Sequence, residues 1–410
     1  MAGYNRQKLI LYCDKIMEYS LYLMAFFLPI SKAIIEITSS IAIVAFFVKK
    51  AVQEKMPSTY LNVPLCAFVI VSGLSLIGTD SLMTALRNYV SKLMQQVLLF
   101  FAVFESINTR QKIKNILFIM FASALLVSTA GITQYFTHKD FLRGRTMPFK
   151  KRINAPFYTP NDLGAYLVPI AVISLNASFV WFKNKALNFI MKILPLVLLA
   201  AIIMTFSRGA WLSLIFGLIF MFSISLLLRN KEAFLIVLLV ILIMLLSLPL
   251  RRDIPLTKIF DLSDAGSVDR KGLWTIAWNM IKAKPLFGHG IGTFMHNFKK
   301  YNTVGYAHAV SYAHNCYLQI AAETGIFGLG AFLWVIFSAF ILSLRKILNS
   351  ERNVSGMLLG LICGLAAFLI HSSVETNLYS LDIGMLFWLM LGLSVSAHAC
   401  LNSLDKLATS

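Results

Sequence analysis

The chain has 410 residues, 58% hydrophobic and only 13% charged, with a formal net charge of +19. Its mean hydropathy is +0.75. A soluble domain carries roughly twice that charged fraction, so an ordinary water-soluble globular protein is excluded. The five cysteines (Cys13, Cys66, Cys316, Cys363, Cys400) are scattered, with no metal-ligand spacing and no disulfide framework.

Apolar runs of about 18 or more residues recur from end to end and predict transmembrane helices, because lipid offers a bare backbone no partners. None alternates as an outer-membrane strand would. The expected fold is therefore an all-α polytopic membrane protein with about twelve transmembrane helices. The N-terminus, Met1-Ala-Gly-Tyr-Asn-Arg-Gln-Lys, runs into a span without a small-residue cleavage site and reads as a retained first helix. In chain order the spans fall near 14–30, 32–48, 61–78, 88–106, 114–132, 161–181, 188–206, 209–228 and 232–250, then 326–344, 355–372 and 379–398. Two long connections interrupt them, 133–160 and 251–313. The large loop between spans nine and ten divides the chain into helices one to nine (1–250), a loop region (251–325), and the last three helices with a short tail (326–410).

An even number of spans puts both termini on one side. Alternate short loops concentrate the basic residues, including Arg6, Lys8, Lys49, Lys50, Lys55, Arg110, Lys112, Arg345 and Lys346, and the positive-inside rule assigns those loops to the cytoplasm. The two long connections then lie outside, and both are also basic. Segment 133–160 carries Lys139, Arg143, Arg145, Lys150, Lys151 and Arg152 against Asp140 alone. Two readings stand: long loops translocate whatever their charge, or these loops face an anionic group, such as a lipid phosphate or diphosphate, at the outer leaflet.

Arg208, in Ser207-Arg208-Gly209-Ala210-Trp211, interrupts an apolar stretch running from Ile193 to Leu228. That length holds two spans, so Ser207 to Gly209 is expected to be a tight turn at the outer face. An arginine there either snorkels to anchor a helix end or contacts phosphate through its planar, permanently charged fork. Downstream, Leu273, Ala277, Met280 and Ile281 recur at helical spacing, so Arg270 opens an amphipathic helix whose Trp274 and Trp278 suit the bilayer surface. The helix stops at Pro285. Gly288, Gly290 and Gly292 then form a turn suited to close packing or to cradling an anion, with His289 expected to be structural.

The third motif runs from Tyr312 through His314, Asn315, Tyr317, Gln319 and Glu323 to Gly325. It predicts a short helix entering from outside and broken near Gly325, with Asn315, Gln319 and Glu323 on one face. His314 lies about half a turn round from Glu323, so a partner for it must come from elsewhere. Imidazole suits proton transfer near neutral pH, although an isolated interfacial histidine also serves structure. Glu36, Glu105 and Glu375 lie in or beside apolar runs, and Glu375 follows His371 in a short outer loop near the same region. No metal-binding cluster or P-loop occurs, so neither a metal nor another cofactor is expected, and no nucleic-acid partner.

At these motifs the chain resembles the O-antigen ligase and polysaccharide polymerase superfamily of bacterial envelope enzymes. The resemblance rests on Ser207-Arg208-Gly209, Arg270, the Pro285 to Phe294 turn, His314-Asn315 with Glu323-Thr-Gly325, and upstream Phe157-Tyr-Thr-Pro160-Asn161. It implies a GT-C-like glycosyltransferase of the bacterial inner membrane, metal-independent, with cytoplasmic termini, a large periplasmic loop and a periplasm-facing site. The donor would be a polyprenyl-diphosphate-linked glycan, and the acceptor lipid A–core oligosaccharide or another glycan. Arg208 and Arg270 would hold the diphosphate, and His314 would deprotonate or orient the acceptor hydroxyl. Arg143, Arg145, Lys151, Arg152, Asn161, Asn315, Tyr317 and Glu323 complete the expected substrate contacts. A polymerase of the same fold, or a lipid or glycolipid transporter, are the competing functions. A transporter would instead place its charges at the midplane between related halves.

Overall fold

The computed structural model describes residues 2–147, 152–180, 185–227, 265–303, 305, 310–350 and 352–409. Among them the regular structure is helical, and an isolated bridge joins Lys139 to Thr146. The expected ninth span, 232–250, and the first part of the large loop lie outside the described residues.

Helices occupy the other expected spans. α1 (Ala2–Phe27) and α2 (Lys32–Gln53) form a hairpin, followed by α3 (Asn62–Leu74). α4 (Leu82–Asn88), a π-helical turn (Tyr89–Met94) and α5 (Gln95–Ser106) together fill the fourth segment. α6 is Arg110–Thr137, α7 Pro160–Val180, α8 Lys185–Thr205 and α9 Arg208–Leu227. Beyond them lie α10 (Ala265–Ala283), α11 (Phe294–Tyr301), α12 (Cys316–Leu348), α13 (Arg352–His371) and α14 (Leu381–Thr409). Four helices are long and apolar enough to cross a membrane: Arg110–Thr137, Arg208–Leu227, Cys316–Leu348 and Leu381–Asn402. Asn62–Leu74, Phe189–Thr205 and Ser355–His371 are shorter apolar helices. This is the architecture of a polytopic membrane protein.

Burial sets the layout. The apolar window of α14 is 83% buried against 39% for α12, so α14 runs through the middle and α12 along the rim. α7 packs on α8, α9 and α13. Exposed apolar side chains such as Ile326, Phe327, Trp334 and Phe337 line the free face of α12, which suits contact with lipid. At one end of the bundle, Lys49 pairs with Asp14 at 2.5 Å and with Glu105 at 2.7 Å, and Lys50 reaches the same Glu105 at 2.7 Å. This network absorbs the expected intramembrane carboxylate Glu105 and ties α1, α2 and α5 together. At the other end, Asp80 pairs with Lys300 at 2.9 Å, joining the α3–α4 loop to α11.

Three expectations need correcting. α10 begins at Ala265, so Arg270 lies in its second turn and does not open it. The amphipathic register itself is as expected, with Leu273, Ala277 and Met280 buried and Trp278 exposed. The fourth segment is not one regular helix, because the polar run around Lys92 adopts a π-turn. The tight turn before α9 ends at Ser207, and Arg208 is the first helical residue; Ser207 Oγ accepts from Ala210 N–H at 3.3 Å.

The break in α12 has a specific backbone solution. Gly325 sits at φ 71°, ψ −177°, a region open essentially only to glycine. A helix interrupted there leaves carbonyls above and N–H groups below without partners, which hydrocarbon cannot supply. The Pro285–Gly292 turn supplies them. Ile326 N–H donates to Pro285 C=O at 2.8 Å, while His289 and Gly290 N–H donate to the Ala322 and Glu323 carbonyls at 3.1 and 2.8 Å. The approach is so close that a Cβ at Gly325 would strike the Leu286 carbonyl, and one at Gly288 would strike the Glu323 backbone. Gly325→Ala should therefore cost about 1–3 kcal/mol in backbone strain alone, plus the clash. Gly330→Ala in the same helix, where a Cβ meets nothing within 4 Å, should be neutral or gain about 0.5–1 kcal/mol. Thermal unfolding of the detergent-solubilised variants checks this: equal melting temperatures for the two would refute the clasp.

Candidate active site

Two carboxylates of different character lie on the clasp side of the bundle. Glu323 is fully buried on α12. It accepts from Gly292 N–H at 2.7 Å and Phe294 N–H at 3.1 Å, at the N-terminus of α11, where a negative charge is favourable. Gln319 Nε2 and the Tyr379 hydroxyl donate to it at 3.3 and 3.0 Å. Gln319 and Glu323 thus share a face as expected, and Glu323 fastens the turn to the helix. His289 is buried and its ring bonds to the Met280 carbonyl at 3.0 Å, a packing role.

Glu375 is the other carboxylate. It lies in the short loop after α13, on the same side of the molecule as the clasp, and several segments far apart in sequence converge on it. Arg270 from α10 meets Oε1 at 2.5 Å. Asn161, in the first turn of α7, donates Nδ2 to the same oxygen at 2.6 Å. His314 Nδ1 meets Oε2 at 2.7 Å. Arg152 extends the cluster, donating Nε to the Thr205 carbonyl at 2.9 Å and its terminal nitrogen to Asn161 Oδ1 at 3.3 Å. The start of α9 abuts the same loop: a Cβ at Gly209 would come within 2.8 Å of Val374 and 3.5 Å of His371 Nε2. Arg208 is thereby set beside the loop that carries Glu375.

His314 is held on both sides of its backbone. Its φ of 47° is left-handed, and the next residue, Asn315, caps α12 by accepting from Leu318 N–H at 3.0 Å. With Nδ1 turned to a carboxylate, that nitrogen is the donor, and in the neutral ring Nε2 is then the acceptor. Nε2 points to the more open side, 3.4 Å from Ser311 Oγ, with the side chain 36% exposed. Arg270 keeps donors in reserve, since its buried Nε has no hydrogen-bond partner among the described residues. Chemically the cluster offers a proton acceptor, a fixed carboxylate behind it and a guanidinium beside it.

Other expected contacts have other placements. Tyr317 donates its hydroxyl to the Leu369 carbonyl at 2.9 Å. Arg145 stacks on the Tyr158 ring with its guanidinium carbon 3.6 Å from the centroid. Arg143 is exposed on a turn organised by Asp140, whose carboxylate accepts from the backbone N–H groups of Leu142, Arg143 and Arg145. Neither Arg143 nor Arg145 hydrogen-bonds to the Glu375 cluster. Lys151 lies outside the described residues, as does its neighbour Lys150. The residue missing from the expected substrate set is Glu375 itself. Its signal was a carboxylate in a short polar loop between two strongly apolar helices.

The fold and this cluster define a polytopic membrane protein with a charged, partly open site at one end of its helical bundle. Residues 193–333 match the family model for O-antigen ligase, and that stretch carries the resemblance to the O-antigen ligase and polymerase superfamily except for Phe157–Asn161, which lies upstream of it. It contains Arg208, Arg270, the glycine turn, His314 and Glu323, and stops short of Glu375. The match indicates a ligase- or polymerase-type activity on lipid-linked glycans. No curated protein matches the chain.

Burial pushes the Glu375 carboxyl up, but the hydrogen bond and charge of His314, with the charges of Arg270 and His371, outweigh it and hold the group below the usual glutamate range. A depressed value makes the carboxylate stabilising above the unfolded-state value of about 4.3, and this contribution disappears as pH falls through the lower folded value. Glu375→Gln should therefore melt below wild type at pH 6, with the gap closing on acidification towards pH 3. A gap independent of pH would show that the charge is not what holds the cluster.

Proposed function

We propose that this protein is an O-antigen ligase, transferring a glycan from a polyprenyl-diphosphate carrier to lipid A–core oligosaccharide at the periplasmic face of the inner membrane. The observation that carries the proposal is the His314–Glu375–Arg270 cluster, with two of its three members inside the segment that matches the O-antigen ligase family. About twelve spans, cytoplasmic termini and a periplasmic loop over 251–325 complete the topology. The loop region ends at Gly325, where α12 is broken.

The acceptor hydroxyl attacks the anomeric carbon of the donor. His314 Nε2 takes its proton as the new glycosidic bond forms and the bond to the diphosphate oxygen breaks. Glu375 holds the imidazole by Nδ1–H and stabilises the imidazolium that results, the role of the carboxylate in a histidine dyad. Arg270 and Arg208 take the charge that develops on the diphosphate, and interactions that strengthen as charge appears are those that accelerate the step. Asn161 and Arg152 position Glu375. Glu323, Asn315 and Tyr317 act at one remove, through the clasp, the helix cap and the packing of α12 on α13.

The test is transfer by purified protein from polyprenyl-diphosphate-linked glycan to lipid A–core. Arg208→Ala, Arg270→Ala and His314→Ala should each lose transfer, with the histidine variant slowed by about 10²–10⁴-fold. Glu375→Gln should be slowed in kcat while still binding donor. Lengthening of the lipid-linked glycan instead of transfer to lipid A–core would make the protein a polymerase with the same site. Folded, donor-binding protein that transfers to neither acceptor would overturn the transferase reading in favour of transport.

A further inference from the structure

The connection between α6 and α7 carries a second concentration of charge, separate from the Glu375 cluster. Three cations gather on Tyr158, a side chain 66% exposed. The Arg145 guanidinium carbon lies 3.6 Å from the centre of its ring, and Lys32 Nζ, from the start of α2, lies 5.9 Å from the same point. Arg145 first of all, with smaller contributions from Arg143 and Lys32, pulls the Tyr158 hydroxyl below the usual tyrosine range.

No acid answers these cations. Asp140 is the one carboxylate in 133–160; it is buried, and its oxygens are spent on the backbone N–H groups of Leu142, Arg143 and Arg145. Lys32, Arg143 and Arg145 form no ion pair among the described residues. Like charges held together repel, and an anion relieves them. A guanidinium stacked on a ring keeps its N–H edge, which is shaped for a phosphate. The same connection exposes Phe136 and Phe141 just where α6, a helix of membrane-spanning length, ends at Thr137. Aromatic and basic side chains at the end of a span suit the zone where lipid heads meet water.

A short, well-braced piece of chain ties this surface to the Glu375 cluster. The buried Asn154 donates to the Phe157 and Tyr158 carbonyls at 2.8 and 3.1 Å, and Gln134 donates to Asn154 at 3.0 Å. Three residues beyond Tyr158, Asn161 meets Glu375 at 2.6 Å. Three residues of chain reach at most about 11 Å, a length that an oligosaccharide head can cover. Neither Arg143 nor Arg145 hydrogen-bonds to the cluster, so a phosphate on Tyr158 is not the diphosphate that leaves beside His314. It belongs to the other substrate.

We propose that Lys32, Arg143 and Arg145, gathered on Tyr158, dock the phosphorylated head of the membrane-borne acceptor while the Glu375 cluster acts on its hydroxyl. That the docked lipid is the acceptor rests on the transferase reading, whereas the docking itself does not.

The test is binding of bisphosphorylated lipid A to the full-length protein in detergent, with dephosphorylated lipid A and inorganic phosphate as the other arms. Wild type should bind the bisphosphorylated form at least about tenfold more tightly than the dephosphorylated one, as charge-assisted contacts predict. The double variant Arg143→Gln/Arg145→Gln should lose that preference while binding dephosphorylated lipid A as wild type does, which a misfolded protein would not. Arg145→Lys should fall between wild type and Arg145→Gln. In the transfer assay the double variant should raise KM for lipid A–core at least about tenfold and leave KM for the donor in place. A preference for the phosphorylated form that survives in the double variant overturns the proposal, as does equal binding of the two lipids by wild type. Displacement of lipid A by inorganic phosphate at an equal concentration also overturns it, because the surface would then be a small-anion site. A rise in KM for donor and acceptor alike overturns the assignment to the acceptor. His314→Ala should keep the binding while losing transfer. Binding without transfer in wild type would sink the transferase reading alone, and transfer without phosphate-dependent binding would sink the docking surface alone.

Discussion

The arrangement of this protein depends on the peptide groups that Gly325 releases in the middle of a helix. In water the broken turn would be hydrated at little cost. In a chain built for lipid, each unpaired N–H or C=O costs several kcal/mol, so the break persists only because the Pro285–Gly292 turn provides the missing donors and acceptors. The requirement works in both directions. The turn has no regular structure of its own, and its geometry is fixed by the carbonyls and N–H groups of α12 that it satisfies. Gly288 and Gly325 let the two backbones come within hydrogen-bonding distance, and the Glu323 carboxyl accepts from two N–H groups at the start of α11. The result is a rigid corner from which α10 leads back to Arg270 and α12 leads up to His314.

Rigidity at that corner matters because the Glu375 cluster is assembled from long-range contacts. Arg270, His314 and Asn161 reach one carboxylate from three different segments. A buried carboxylate with fewer partners would be protonated or would destabilise the fold. Here the partners outweigh desolvation, so the charge is kept and becomes a means of orientation. It selects one histidine tautomer and aligns a guanidinium. General-base chemistry needs both, and neither residue could achieve them from an isolated loop position.

Much of the fold was legible in the sequence because membrane helices declare themselves by length and apolarity alone. The break at Gly325, the turn before Arg208 and the buried face of α10 were legible for equally local reasons: a glycine in an apolar run, a charge between two spans, and a helical repeat of Leu273, Ala277 and Met280. The sequence also indicated that His314 and Glu323 would not meet and that the partner of His314 lay elsewhere. Its identity was not legible, since pairing between His314 and Glu375 depends on how α12, α13 and the intervening loop pack, and no local pattern encodes that. Arg143 and Arg145 show the same limit from the other side. Their charge suggested anion contacts, but Asp140 and the Tyr158 ring organise that turn. The π-turn around Lys92 escaped prediction because one extra residue in a helical turn leaves the apolar pattern on either side nearly unchanged.

Lys92 and Arg270 can be compared on the same physical scale. Both are cations in a chain of low charge density, and both sit near a carboxylate. Arg270 meets a carboxylate with an oxygen to spare for it, and the pair is shared with His314 and Asn161. Lys92 faces a carboxylate whose oxygens are already taken by two backbone N–H groups, Gln319 and Tyr379. The first arrangement is closed with respect to charge and open with respect to chemistry, because the imidazole Nε2 lies on its more open side and the buried Arg270 Nε has no hydrogen-bond partner among the described residues. The second is open with respect to charge, because no hydrogen bond or ion pair closes on the Lys92 ammonium among the described residues.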